Sequence, residues 1–275
     1  MSAADSLPPR QDNSRPPFRA IVRNRVPRLY RSPFVRDVVT LISGTAAAQA
    51  VTLAASPILS RLYRPEDFGG LALYLSVSTV LGAVASLQYS AAVMLPAEEG
   101  EARAVVRLSL RIVAATTGVS LLGAALGRHQ VGALLHSPPL VPWLWCVPLG
   151  VFLTGVYDIL CAWAARQQNF RQVSAAQVTQ ALAGNGVKIL VAVVFVAGIG
   201  GQVVGQLTGL LGAAVTLAVL GCRSRRQVPS SREEPHSLLV VAKRYRKCPQ
   251  FLCWATLLNQ VATQMPPILL ARFFS

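Results

Sequence analysis

The chain has 275 residues, 53% of them hydrophobic, and only 13% carry a charge, against about 25% in a soluble domain. Lys and Arg number 26 and Asp and Glu 11, a net charge of +15, while the mean hydropathy is +0.47. This combination excludes an ordinary soluble globular domain and predicts an all-α, polytopic bundle of membrane-spanning helices.

Residues 1–37 form a basic tail. They hold eight arginines, from Arg10 to Arg36, among Pro8, Pro9, Pro16, Pro17, Pro27 and Pro33. No apolar core follows early enough for a cleavable secretory signal, so the tail is expected to be retained. Crossing a bilayer takes roughly 20 apolar residues, and seven segments qualify. They are Val38 to Leu59, Gly70 to Leu95, Leu108 to Leu126, Leu140 to Ala162, Ser174 to Ile199, Val203 to Gly221, and Phe251 to Phe274. The second is long enough to tilt or to end before Tyr89. Gly200, Gly201 and Gln202 separate the fifth from the sixth, which predicts a tight hairpin. Pro57 and Pro148 are candidate bends. The resulting domains are a cytoplasmic tail (1–37), a first bundle of six helices (38–221), a basic loop (222–250), and the first helix of an incomplete second bundle (251–275).

Basic loops stay on the cytoplasmic side. With the amino terminus inside, 20 Lys and Arg fall on the inner side and four on the outer (Arg61, Arg64, Arg128, Arg272), with Arg111 and Lys188 inside spans. The amino terminus is therefore expected in the cytoplasm. Because the charge flanks membrane segments rather than covering a folded face, it argues against a nucleic-acid partner and for contact with membrane lipids.

No enzyme signature is present. The chain lacks His-Glu-x-x-His, Gly-x-Ser-x-Gly and the phosphate-binding Gly-x-x-x-x-Gly-Lys-Ser/Thr, so hydrolytic and ATP-driven chemistry have no apparatus. Cys146, Cys161, Cys222, Cys248 and Cys253 show no metal or redox spacing, and no metal or cofactor is expected.

An ionisable side chain at bilayer depth costs about 2.5 to 3.5 kcal/mol on insertion scales, so it usually faces a cavity or a partner. Asp158 and Lys188 are the main candidates, with Arg111 third. Asp158 and Lys188 lie on adjacent antiparallel helices, but at depths that differ by about 9 Å at helical rise, so a direct ion pair would require tilt or snorkelling. Lys188 and Arg111 are candidates for a cationic cavity, and Asp158 for exchange of a proton or a sodium ion. The competing reading is that Lys188 and Asp158 neutralise one another while Arg111 reaches the headgroups. Gln49, Asn185, Gln177, Gln180 and Gln206 are polar residues able to bond sugar hydroxyls or to join helices. Gly205 and Gly209 have the spacing that allows close helix contact.

The first and seventh spans share a pattern 211 residues apart. Leu41, Thr45, Gln49, Thr52 and Arg61 align with Leu252, Thr256, Gln260, Thr263 and Arg272. That arrangement matches the parallel repeats of secondary transporters.

The run from Pro57 to Gly69, Pro-Ile-Leu-Ser-Arg-Leu-Tyr-Arg-Pro-Glu-Asp-Phe-Gly, resembles the first outer loop of bacterial oligosaccharide flippases. These form the O-antigen and polysaccharide-transporter branch of the superfamily that also holds multidrug and toxic compound exporters. The resemblance continues through Leu87 to Ser90, Leu95-Pro96, Glu101-Ala102, Leu108-Ser109, Arg166-Gln167, Asn169-Phe170 and Arg244 to Lys247 with Pro249. At Gln88 and Ser90 the chain lacks the charged pair such proteins often carry.

The resemblance implies two six-helix bundles around a central cavity. It also implies movement of undecaprenyl-diphosphate-linked oligosaccharide across the bacterial inner membrane, for lipopolysaccharide or exopolysaccharide synthesis. Energy would come from a proton or sodium gradient or from consumption of the product, and the sequence does not choose. Protein partners would be polysaccharide-assembly proteins or a second copy of the chain. Two other readings stay open: a truncated, non-transporting membrane protein that needs a partner, and a drug or cation exporter, which would require acidic cavity residues.

Overall fold

The computed structural model describes residues 33–85, 89–96, 98–134, 138–194, 198–225 and 247–274. Nearly all of the basic tail and most of the 222–250 loop lie outside them. Every regular element among the described residues is helical. In chain order these are α1 (Pro33–Leu62), α2 (Pro65–Ala85), a single turn (Tyr89–Ala92), α3 (Glu99–Leu134), a 3-10 helix (Pro138–Cys146), α4 (Val147–Arg166), α5 (Phe170–Val194), α6 (Ile199–Arg225) and α7 (Lys247–Phe274).

Six of these carry stretches long and apolar enough to cross a bilayer: Val35–Leu62, Pro65–Ala85, Glu99–Gly127, Val141–Arg166, Phe170–Val194 and Ile199–Cys222. The chain is a multi-pass membrane protein. The seventh expected span is a continuous helix as well, but it falls outside that set. Asn259, Gln260, Gln264, Pro266 and Pro267 dilute its apolar character.

α2, α4 and α6 form the centre, with 39%, 44% and 39% of their apolar windows buried, against 11%, 17% and 11% for α1, α3 and α5. Leu73 and Tyr74 of α2, Val147 and Val151 of α4, and Val203 and Leu207 of α6 meet in the main core. α1 and α5 pack on the α6 side, α3 packs on α4, and α7 docks on α2. Ile42, Leu53, Val119, Leu122 and Leu126 remain exposed along α1 and α3. In a bilayer such faces meet lipid tails, which are as apolar as they are.

Local chemistry explains the corners. At the α1–α2 corner, Arg64 N–H donates to Asp67 Oδ2 at 3.1 Å and Asp67 N–H donates to the Arg64 carbonyl at 3.0 Å, a reciprocal helix start. Tyr63 meets Phe68 edge to face at 6.3 Å. α4 ends where Gln168 takes a positive φ of 56°, while Asn169 N–H returns to the Ala164 carbonyl at 3.0 Å. Arg166 Nη1 donates to the Val93 carbonyl at 3.0 Å and so ties the 89–92 turn to the end of α4.

Two expectations are revised. Gly200, Gly201 and Gln202 do not make the turn between the fifth and sixth helices, because α6 already begins at Ile199. The glycines serve packing instead. A Cβ on Gly200 would overlap the indole of Trp143, and one on Gly201 would press on the Tyr63 hydroxyl. Pro148 likewise does not bend a helix. It sits in the first turn of α4, where its missing N–H has no intrahelical partner to lose.

Candidate functional site

A polar slot of about 340 Å³ runs between α1, α4, α5 and α6. α1 contributes Thr45, Gln49 and Thr52, residues at helical spacing on one face. α5 contributes Gln177, Gln180, Asn185 and Lys188, α6 contributes Gln206, and α4 contributes Tyr157. From Gln177 to Lys188 the slot follows α5 for about 16 Å at helical rise.

Close packing of small residues builds its walls. Gly44 of α1 lies against Ser174 of α5, whose hydroxyl donates to the Thr40 carbonyl at 2.9 Å. Cβ atoms on Gly205 and Gly209 would come within 2.8 Å of the Gly184 carbonyl and 2.9 Å of the Gln180 carbonyl. Gly205 also lies directly beneath the aliphatic stem of Lys188. The glycine therefore lets that stem cross α6.

Polar pairs brace α1 on α5. Thr45 Oγ1 donates to Gln177 Oε1 at 2.8 Å, and Asn185 Nδ2 donates to Thr52 Oγ1 at 3.4 Å. At the α1–α2 corner Tyr63 Oη donates to the Lys188 carbonyl at 2.7 Å. Tyr63 is 3% exposed, so this bond is shielded from competing water.

The slot gathers Lys188, Gln49 and Asn185, with Gln177, Gln180 and Gln206, and of these Gln177 and Asn185 also join α5 to α1, the other role expected of such polar residues. It does not gather Asp158 or Arg111. Asp158 follows Tyr157 and so points about 100° away around α4, where it is exposed. Arg111 is exposed on α3 and does not line the slot.

Among the described residues no ion pair joins Lys188 to Asp158. The reason is depth. α5 is described from Phe170 to Val194, and Lys188 lies about 9 Å at helical rise from its Val194 end. Asp158 stays about 12 Å from the Arg166 end of α4. Thr45, Thr52 and Tyr157 complete the slot and were not singled out as site residues. Their one legible signal is the spacing of Thr45, Gln49 and Thr52 noted as part of the repeat.

Chemically, the slot offers one cation, amide and hydroxyl groups that donate and accept, and no carboxylate among its lining residues. An anion bearing hydroxyl groups is the matching ligand class. Among the described residues no group of His, Cys, Asp and Glu side chains is placed to hold a metal ion.

In comparison with known proteins, the model of the family described as polysaccharide biosynthesis protein matches residues 58–275. The matched region takes in Asp158, Asn185 and Lys188 and begins after Gln49. Neither the curated proteins nor the solved structures contain a match.

Proposed function

Because the chain belongs to the family of polysaccharide biosynthesis proteins, we propose that it translocates diphosphate-linked oligosaccharide units on an undecaprenyl carrier across the bacterial inner membrane. The observation that carries this reading is the placement of Lys188 in a polar slot without a carboxylate partner among the described residues. An ammonium inside a span is costly, by about 2.5 to 3.5 kcal/mol at a helix centre and less toward its end, and an arriving diphosphate offsets that cost by supplying the opposite charge. Gln49, Asn185 and the neighbouring glutamines hydrogen-bond the sugar hydroxyls, while the carrier's tail stays in the bilayer.

In this mechanism the cation holds the head group and the slot's donors replace the water that a sugar loses on entry. Asp158, one residue from the slot-lining Tyr157, is the carboxylate that exchanges a proton or sodium ion. Arg111, exposed on α3 and outside the lining of the slot, is given no part in it. The single cation and lack of acids along the slot favour this cargo over organic cations.

The test is transport of a lipid-linked oligosaccharide in reconstituted vesicles. Lys188→Ala is expected to lose most of the activity and Lys188→Arg to keep part of it. Wild-type rates in Lys188→Ala would remove the lysine, and with it the reading.

A further inference from the structure

A second cavity, of about 300 Å³, lies at the opposite end of the bundle from the α1–α2 corner, where α3 and α5 begin and α4 and α6 end. Its two halves differ in chemistry. Arg103, Arg107 and Gln172 form a polar rim, and Leu160, Trp163 and Leu217 form an apolar wall.

The two arginines are one turn apart on α3 and share a face. Arg103 is held by Glu99, with Nη2 to Oε2 at 3.2 Å, and its side chain is 18% exposed. Arg107 lies one turn further into the bundle, is exposed, and has no carboxylate within 4 Å among the described residues. Gln172 leans over the end of α6, its Nε2 3.5 Å from the Leu220 carbonyl. A tryptophan beside paired arginines is the signature of headgroup depth.

We propose that this cavity binds one anionic glycerophospholipid, with its phosphate on the Arg107 side and the start of an acyl chain against Leu160 and Leu217. Charge complementarity selects an anion, because Glu99 offsets one guanidinium and Arg107 is left to the ligand. The apolar wall selects a lipid over a free phosphate, which would gain nothing from half of the lining. The site is separate from the Lys188 slot and does not depend on the transport reading.

The experiment is native mass spectrometry of the full chain released from vesicles of equal phosphatidylglycerol and phosphatidylcholine. One phosphatidylglycerol is expected to stay bound to the wild type and to Arg171→Gln, a variant at the same end but outside the cavity. Arg107→Gln is expected to bind it about fivefold more weakly, the loss of one basic contact. Ala218→Phe, which crowds the apolar wall without changing charge, is also expected to lower occupancy. Unchanged occupancy in both variants, equal retention of phosphatidylcholine, or displacement of the lipid by inorganic phosphate would overturn the proposal.

Discussion

Tyr63 Oη donates to the main-chain carbonyl of Lys188 across 2.7 Å, so the corner between α1 and α2 is fastened to the turn of α5 that carries the slot's only lysine. Tyr63→Phe keeps the ring against Phe68 and removes one donor. It is expected to lower stability by about 1 kcal/mol, read as a drop in the midpoint of thermal unfolding in detergent.

The same hydroxyl carries a pH dependence. Burial, and to a smaller degree the carboxylate of Asp67, pushes the Tyr63 phenol up. The folded chain then holds the proton to higher pH than the unfolded chain does. Its contribution is intact below about 10, the unfolded phenol pKa, and is lost as pH rises through the folded value. Between those two values the wild type is expected to lose stability more steeply than Tyr63→Phe. Parallel curves for the two would contradict the assignment.

Gly205 and Gly186 make a matched pair for the helix contact. A Cβ at Gly205 would meet the Lys188 stem and the Gly184 carbonyl, whereas one at Gly186 meets nothing within 4 Å. Gly205→Ala is expected to destabilise by about 1 to 3 kcal/mol through overpacking and to displace Lys188, so that transport falls as well. Gly186→Ala is expected to leave both unchanged.

Gln264 clasps α7 to α2. Its Nε2 donates to Thr79 Oγ1 at 2.9 Å, and its Oε1 accepts from Ser76 Oγ at 3.2 Å. Such pairs inside membranes average about 0.6 kcal/mol and reach about 1.7. Gln264→Leu and Thr79→Val are each expected to destabilise, and the double variant by less than their sum. Full additivity would show that the clasp carries no coupling energy.

The spans were legible because apolar length is a property of one segment at a time. That is why Phe170–Val194 and Ile199–Cys222 lie close to their expected places. The same logic singles out Gln49, Asn185 and Lys188 as candidates, since polar groups in apolar runs face a cavity or another helix rather than lipid. Partners were not legible. Nothing local relates Tyr63 to Lys188, 125 residues apart, or Gln264 to Thr79, 185 apart. Gly200 and Gly201 look like a turn because they interrupt two apolar runs, whereas the neighbouring Trp143 and Tyr63 are what require a residue without a Cβ.

The most direct test of the Lys188 slot as the cargo site is protection of a cysteine placed there. In a variant that keeps Lys188 but whose native cysteines are replaced, Ala181→Cys, in the lining of the slot, is labelled in membranes with a water-soluble thiol reagent, with and without lipid-linked diphosphate oligosaccharide. The cargo is expected to slow labelling at 181 and at Ala48→Cys on the facing helix, but not at Arg111→Cys. Equal labelling of position 181 with and without cargo would contradict the account.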